Sequence, residues 1–376
     1  MLYRRIHIHL RLCCLLFAGI ALWPCRGAAQ PGSGWYVGGN LYGGIVVAHS
    51  EMVSNIEAHT WGGEVLLSRR MRNQNGWSAN YLAPRYGIAL HFTEYGQPDL
   101  MGQSFGLLPH IEFNLLKRPN YQATFRLGTG IGYFTRTFYT DDRMKSRAIG
   151  SRFNGNMHLG VWNHFALTDG LELNLGVAIT HFSNGNVREP NWGVNTFTFG
   201  GGVQGLFAEE SGPRSGPTDT GFYRKGWKGS LSLAWGTKQN GYLDGTRYSA
   251  WNIQATANNR LGPKSELLAG IDFFYDPIYP NYLYPDSIRT DEERDTDKLH
   301  LALLVGHELW LGKIAIMTHV GGYLYTPGNE YKPIYQRVGI KYRPFWWLYS
   351  SVSLKTHLSV AEFIEWRVGW YFGRKQ

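Results

Sequence analysis

The chain has 376 residues, of which 47 are glycine and only 17% are charged, and it is rich in aromatic residues, with 14 Trp, 23 Tyr and 19 Phe. Its formal net charge is +9, and after residue 29 the balance is 33 basic against 28 acidic residues, or +5, which is too mild to point to nucleic acid as a partner. All three cysteines lie in the first 29 residues, so the remaining chain has no disulfide, no thiol nucleophile and no thiolate metal ligand.

The first 29 residues have the features of an export signal. Arg4, Arg5 and Arg11 form a basic start, "LCCLLFAGIALW" is an apolar run, and "GAAQ" offers small residues for cleavage near Ala29. The apolar run is too short to cross a bilayer comfortably, and beyond it no run long enough for a transmembrane helix occurs. An exported chain with this composition is typical of a transmembrane β-barrel of the outer membrane.

The segment "LELNLGVAITHFS" (171–183) has the strict alternation that a barrel strand requires. Its odd-numbered residues from Leu171 to Ile179 are apolar, whereas the even-numbered ones are polar or small. The odd face is therefore predicted to contact lipid. The same period of two places His181 and Ser183 side by side on the lipid face, with Phe182 pointing the opposite way.

Connections between the predicted strands alternate between short and long, as in barrels with tight periplasmic turns and longer exterior loops. The short ones are 117–120, 168–170, 261–264 and 311–313, and the longer ones are 138–149, 184–193 and 276–297. The strand that begins at Leu171 is then expected to run outward. Its far end, with His181 and Ser183, would lie near the outer leaflet.

The sequence divides into a signal peptide (1–29), a first barrel half (30–208), a polar linker (209–226) and a second barrel half (227–376). Each half is expected to form about eight strands of an all-β, antiparallel transmembrane barrel. A single barrel of about 14–16 strands is the favoured arrangement, and two eight-stranded barrels are the alternative. "ITHFS" in the first half and "KTHLS" in the second suggest that the second half is a degenerate repeat.

The second copy of this motif is not chemically equivalent to the first. In "SVSLKTHLSV" (351–360), the alternation places His357 and Ser359 on the lumen face. His158 and His164 likewise fall on polar positions of their strand, and they are predicted to be lumen residues rather than metal ligands. No metal and no cofactor is expected.

The stretch "THFSNGNVREPNWGVN" (180–195) holds the candidate chemistry. A histidine one pleat away can withdraw the proton of Ser183, whose hydroxyl is otherwise a weak nucleophile. Polar side chains that face lipid are costly and tend to mark function.

Four asparagines follow, whose amides are able to stabilise an oxyanion or to hold a histidine in one tautomer: Asn184, Asn186, Asn191 and Asn195. Asparagine also favours turns, and "NGN" is predicted to be a turn in either case.

The residues "HFSNGNVREPNWGVN" (181–195) resemble the signature of the PagL-type lipid A 3-O-deacylases, which runs His-x-Ser-Asn, then Pro-Asn-x-Gly, then an acidic residue. The resemblance implies a serine hydrolase on the outside of an eight-stranded barrel that cleaves an ester-linked acyl chain from lipid A. It implies Ser183 as nucleophile, His181 as general base and Asn191 as oxyanion donor, and Asn184 is a further candidate donor.

One position departs from this signature, because Asn195 stands where the deacylases have glutamate. Outer-membrane phospholipase A is similar in this respect, with His-x-Ser-Asn-Gly and an asparagine at the same spacing. Asn195 is therefore expected to orient His181. "PNWG" favours the deacylases, but the substrate stays open between lipid A and phospholipid.

Basic residues in the predicted exterior loops are candidates for binding the phosphates of lipid A, since guanidinium groups bind phosphate in a bidentate manner. They are Arg143, Lys145, Arg147 and Arg188. Solvated loop charge is the plainer interpretation. The run "DEERDTD" (291–297) is similarly either a cation-gathering segment or a solvated loop.

Taken together, the sequence predicts an outer-membrane serine esterase that hydrolyses an ester-linked fatty acyl chain of lipid A. Its expected partner is the lipopolysaccharide of the outer leaflet. A phospholipase A and a non-catalytic pore or structural barrel are the alternatives.

Overall fold

A computed structural model describes residues 34–71, 77–140, 145–209, 225–283, 295–327, 333–358 and 360–373. The predicted signal peptide, nearly all of the predicted linker, Arg143 and Ser359 lie outside the described residues. The first eight strands are β1 (Gly34–Val47), β2 (His59–Arg70), β3 (Arg85–Glu94), β4 (Gln103–Arg118), β5 (Tyr121–Phe134), β6 (Phe153–Thr168), β7 (Leu171–Ser183) and β8 (Val194–Glu209). The next eight are β9 (Gly226–Gln239), β10 (Arg247–Arg260), β11 (Ser265–Tyr275), β12 (Leu299–Leu311), β13 (Ile314–Tyr325), β14 (Ile334–Tyr342), β15 (Leu348–His357) and β16 (Val360–Phe372).

These strands form two closed antiparallel barrels, β1–β8 and β9–β16. In the first, β1 pairs with both β2 and β8, and in the second, β9 pairs with both β10 and β16. Because each barrel is closed, every strand is paired on both sides and neither sheet has a free edge. The backbone N–H and C=O groups of the strands therefore find their partners within the barrel. The prediction of an all-β outer-membrane barrel is confirmed.

The number of barrels corrects the favoured expectation. The sequence favours a single barrel of about 14–16 strands, but β8 returns to β1 instead of pairing onward with β9. The alternation of faces is the same in both arrangements, so the strand pattern alone does not decide between them. The chain divides into two compact units, each built around one barrel.

The helices of the described residues are short connections. They comprise 3-10 turns at Glu51–Ile56, Trp77–Tyr81 and Asp295–Lys298, and single α-helical turns at Gly241–Asp244 and Pro280–Leu283. Within the described ranges, no helix has the length and apolar character needed to cross a membrane.

The alternation predicted for β7 is present. Leu175, Val177 and Ile179 are exposed on the outer face, whereas Asn174 and Ala178 are buried in the lumen. Large apolar side chains are stable on the outer face only where lipid covers them, because water would leave their surface uncompensated.

The lumen of the first barrel is filled by charged side chains that pair with one another. Arg126 donates to Glu64 at 2.7 Å and to Glu112 at 2.7 Å. Arg70 and Arg85 donate to Glu172 at 2.6 Å and 2.8 Å. Buried charges of this kind are tolerated only when they are paired.

The histidines predicted to face the lumens do so. His158 Nδ1 lies 2.9 Å from the Thr180 hydroxyl, and His164 is buried with Nε2 3.2 Å from Glu112. In the second barrel, His357 is buried with Nε2 3.2 Å from the Tyr323 hydroxyl. The period-two pattern therefore correctly separated His357 from the outward-facing His181.

An apolar cluster closes the first lumen at the end where β7 finishes. Phe182 and Val194, from the two sides of the β7–β8 connection, pack in this cluster with residues of the other long connections, such as Val53 and Ile149. Phe182 meets Phe134 edge to face, with 5.2 Å between ring centroids. Because Phe182 and Val194 point into the lumen on the two sides of the connection, the strand residues next to them point outward.

Candidate active site

His181 and Ser183 both lie on the outer face at the end of β7, and both are half-buried. Phe182 between them is fully buried in the lumen. Because successive side chains of a strand point to opposite faces, burial of Phe182 directs His181 and Ser183 outward. The predicted placement of the pair is confirmed, and it depends on an apolar contact on the other side of the barrel wall.

Asn195 joins two histidines into a chain of hydrogen bonds. The His181 Nδ1 atom lies 2.7 Å from Asn195 Oδ1, and Asn195 Nδ2 lies 2.9 Å from His49 Nδ1. Since the amide oxygen can only accept, His181 Nδ1 carries the proton and donates it to Asn195. The lone pair of His181 is then on Nε2, the nitrogen that a general base needs.

Strand register brings these residues together. His181 on β7 is directly opposite Asn195 on β8, and Asn195 is directly opposite Val47 on β1. His49 follows β1 by two residues and is exposed. The interaction between His181 and Asn195 was predicted from the resemblance to outer-membrane phospholipase A, whereas His49 was missed, because nothing near it in sequence marks it as a partner of Asn195.

Gly193 lies against the imidazole of His181. Its backbone has a φ of +81°, and a Cβ atom built there would stand 2.6 Å from His181 Cε1 and 3.0 Å from the Phe182 carbonyl oxygen. Its N–H donates to the Ala148 carbonyl at 2.8 Å, and the Trp192 N–H donates to the Arg147 carbonyl at 3.2 Å. The glycine of "PNWG" therefore allows the loop backbone to close over the histidine ring.

Replacing Gly193 with alanine is expected to reduce the esterase activity predicted from the sequence by about 10- to 100-fold, because the methyl group forces the His181 ring away from its bond to Asn195. Turnover of lipid A, the predicted substrate, by purified protein would measure the loss. Gly262, whose Cβ would have no atom within 4 Å, is the matched control, and Gly262→Ala should leave turnover unchanged. Full turnover by Gly193→Ala would contradict the contact.

The turn after Ser183 has the geometry predicted for "NGN". Gly185 and Asn186 have φ values of +61° and +66°. The buried Asn184 side chain donates from Nδ2 to the Ser151 hydroxyl at 2.8 Å. Burial raises the pKa of the Glu189 carboxyl further along the connection, and the Asn186 side chain opposes that shift. Asn191 is half-buried.

The basic candidates lie in the connections. Lys145 is exposed, with Nζ 4.9 Å from the centre of the Phe138 ring. Arg147 is half-buried, and its Nη1 lies 3.2 Å from the Met52 sulfur. Arg188 is exposed in the β7–β8 connection.

A gap in the apolar outer surface adjoins Ser183. Its direct neighbour on β6 is Gly155, and Gly155 in turn faces Ile131 on β5. Phe153 and Met157, on either side of Gly155, are exposed on the same face. The missing side chain leaves a shallow apolar depression beside the serine.

Among the residues described, no group of three or more His, Cys, Asp or Glu side chains is placed to hold a metal ion.

Family models match both barrels. Residues 47–204, which contain the whole of the His181–Asn195 stretch, match the model described as "Lipid A 3-O-deacylase (PagL)", and residues 227–375 match "Acyloxyacyl hydrolase, C-terminal domain". The chain belongs to the PagL family. It is therefore a lipid A deacylase of the outer membrane, a hydrolase.

Three solved structures are reported as similar to this PagL-family chain. Neisserial surface protein A is 12% identical, with a TM-score of 0.34, over 46% of this chain and 98% of its own. The outer membrane enzyme PagL is 16% identical, with a TM-score of 0.32, over 43% of this chain and 97% of its own. OpdO of Pseudomonas aeruginosa is 10% identical, with a TM-score of 0.23, over 90% and 96%. No curated protein matches the chain.

Proposed function

We propose that this PagL-family enzyme removes an ester-linked acyl chain from lipid A with Ser183 as nucleophile, His181 as general base and Asn195 as the residue that orients the base. The observation that carries the proposal is the 2.7 Å contact between His181 Nδ1 and Asn195 Oδ1 on the lipid-facing side of the barrel. The contact leaves Nε2 of His181, the nitrogen that a general base uses, as the one with the lone pair.

The proposed reaction follows from the proton positions. His181 Nε2 takes the proton of the Ser183 hydroxyl as Oγ bonds to the carbonyl carbon of the acyl ester. Collapse of the tetrahedral intermediate breaks the bond between that carbon and the sugar oxygen, which leaves with the proton from Nε2. Water, activated by the same nitrogen, then hydrolyses the acyl-serine and restores the enzyme.

The negative charge of the intermediate needs donors near the ester. We assign this role to Asn191, and to Asn184 as a second donor, because amide N–H groups stabilise an oxyanion in a site that excludes water. The Asn184 amide, which donates to the Ser151 hydroxyl at 2.8 Å, directly follows Ser183 in the chain.

Lipid A binding is assigned to the basic residues of the connections, Arg143, Lys145, Arg147 and Arg188. Phosphate groups lie above the acyl esters in lipid A, and cations in the connections complement them. We further propose that residues 1–29 are a cleaved signal peptide that exports the chain, and that the substrate is the lipopolysaccharide of the outer leaflet.

The depression at Gly155 is assigned to the acyl chain of the substrate. Gly155→Leu is expected to lower turnover of lipid A about tenfold or more, because the new side chain fills the surface beside Ser183. Gly229→Leu, on an exposed position of β9 with no atom nearer than 4.0 Å to its Cβ, is the control. Equal turnover of lipid A by both variants would show that the depression does not bind the acyl chain.

Replacing Asn195 tests whether this residue orients His181. Asn195→Leu is expected to lower kcat about 10²- to 10⁴-fold, because Nδ1 of His181 loses the acceptor that fixes its tautomer. Asn195→Asp keeps an acceptor oxygen in the same place and should retain most of the activity. Comparable activity in Asn195→Leu and the unmodified enzyme would show that Asn195 does not position the base.

Mass spectrometry of lipid A from cells that do or do not produce the protein tests the function itself. We expect one acyl chain to be lost from lipid A in producing cells. Unchanged lipid A, with fatty acid released from purified phospholipid in a calcium-dependent reaction, would favour a phospholipase instead.

A further inference from the structure

The second barrel has its own serine and histidine in hydrogen-bond contact on the outer face. Ser265, the first residue of β11, and His307 on β12 lie with Oγ and Nε2 2.7 Å apart. Glu308, the neighbour of His307, is buried in the lumen, so His307 points outward. No part of the proposed deacylation uses this pair.

The pair lies within an apolar belt. His307 is directly opposite Thr318 on β13, and the outward pairs on its two sides are Val305 with Val320 and Leu309 with Ile316. Ionisable side chains among lipid-facing apolar residues are costly and tend to mark a function. The pair is thus a candidate for binding something that the membrane supplies.

The position of the pair identifies the leaflet. Ser265 follows the short β10–β11 connection, and β12 joins β13 by a two-residue turn after Leu311. Short connections of outer-membrane barrels face the periplasm, which places the pair in the inner leaflet. With a rise of about 3.4 Å per residue and a strand tilt of about 40°, His307 lies about 10 Å from the turn end.

That depth matches the ester groups of glycerophospholipids. The headgroup region occupies about 5 to 8 Å on each side of the hydrocarbon core, so a group about 10 Å from the turn is near the boundary where the ester carbonyls lie. Exposed Lys264 and Lys313 lie in the turns at the ends of these strands. Cations at this position lie at the level of the lipid phosphates, closer to the periplasm than the Ser265–His307 pair.

The hydrogen-bond donors that remain on Ser265 and His307 also favour a lipid ester as the ligand. If Ser265 donates to His307 Nε2, the Nδ1–H of His307 remains to donate, and if His307 donates to Ser265, the hydroxyl proton remains. In either tautomer one donor is left, and apart from the hydroxyl of Thr318 the outer-face neighbours of His307 on β13 are hydrocarbon side chains, which offer no acceptor. An ester carbonyl is the acceptor that a phospholipid offers at this depth.

We propose that Ser265 and His307, with Lys264 and Lys313, form a binding site for one glycerophospholipid of the inner leaflet. The pair donates to an ester carbonyl, and the two lysines contact the phosphate. It binds without hydrolysing, because the backbone N–H groups of both residues belong to the ladder and the turns beside them, 261–264 and 312–313, contain no asparagine or glutamine. An esterase needs backbone or side-chain amide donors for its oxyanion.

Native mass spectrometry of the full-length protein with phosphatidylethanolamine and phosphatidylglycerol tests the site. His307→Leu and Ser265→Ala are each expected to lower the fraction that retains a phospholipid by about tenfold, the effect of losing one or two hydrogen bonds. His307→Gln, which keeps an N–H donor, should restore retention. Ser350→Ala, an exposed serine near the same turn end on β15, should retain phospholipid normally.

Two results would overturn the proposal. One is equal phospholipid retention by His307→Leu and Ser350→Ala in preparations whose barrels are folded, as judged by the shift in gel mobility on heating. The other is labelling of Ser265 by a fluorophosphonate in the Ser183→Ala background, since a binding site leaves that hydroxyl unactivated. Lipid A deacylation should be unchanged in His307→Leu, which separates this site from the one on the first barrel.

Discussion

Replacing Ser183 with alanine is expected to lower lipid A deacylation by at least about 10³-fold, the loss typical of removing the nucleophile of a serine hydrolase. The change removes one oxygen atom from a half-buried position on the barrel exterior. Because Phe182 and the lumen contacts hold β7 in place, the barrel should assemble normally. The readout is acyl-chain release from lipid A by purified, folded enzyme.

The matched control for this prediction is Ser249→Ala. Ser249 also lies on a barrel exterior, where it is exposed, near the start of β10, and it follows the longer connection between β9 and β10. Deacylation by Ser249→Ala should equal that of the unmodified enzyme. Substantial activity in Ser183→Ala would assign the nucleophile to another residue or to a water molecule.

Replacing His181 with alanine is expected to have an effect of similar size. The imidazole both accepts the serine proton and returns it to the leaving sugar oxygen, so both halves of the reaction lose their proton carrier. The double variant Ser183→Ala/His181→Ala should be little worse than either single variant, since residues that act as one unit are not additive. Rates for the three variants give this comparison directly.

His59→Ala serves as the control for the His181 change. His59 is an exposed histidine at the start of β2, at the same end of the first barrel. Its replacement should leave the rate unchanged. A double variant whose loss is the product of the two single losses would contradict a shared proton transfer between His181 and Ser183.

The outward placement of His181 and Ser183 was predictable because a strand has a period of two and the apolar face of 171–179 is unambiguous. The same rule correctly placed His357 in a lumen, although its local sequence nearly repeats that of His181. Periodicity depends only on residues that are close together in the sequence, and it can therefore be recognised from the sequence alone.

Barrel closure was not predictable in the same way. Whether β8 pairs with β1 or continues to β9 depends on contacts between residues about 160 positions apart, and both choices give the same alternation. His49 was missed for a related reason. It reaches Asn195 only because β8 lies between β7 and β1 in the closed barrel.

Gly193 lies between these cases. It belongs to the "PNWG" motif noted in the sequence, but the 2.6 Å approach to His181 depends on the backbone path of the connection. The position of Asn184 is similar, since its amide contact is with Ser151, 33 residues earlier. Residue type indicates what a side chain is able to do, and the path of the loop decides which partner it meets.

Covalent labelling with a fluorophosphonate, followed by peptide mapping, tests the central claim most directly, because the reagent reacts only with a serine whose proton is withdrawn by a base. We expect the label on Ser183 of the folded enzyme, and we expect His181→Ala to abolish it. A folded, lipid A-deacylating enzyme that stays unlabelled at Ser183, or that is labelled equally without His181, would contradict a serine activated by histidine on the lipid-facing side of the first barrel.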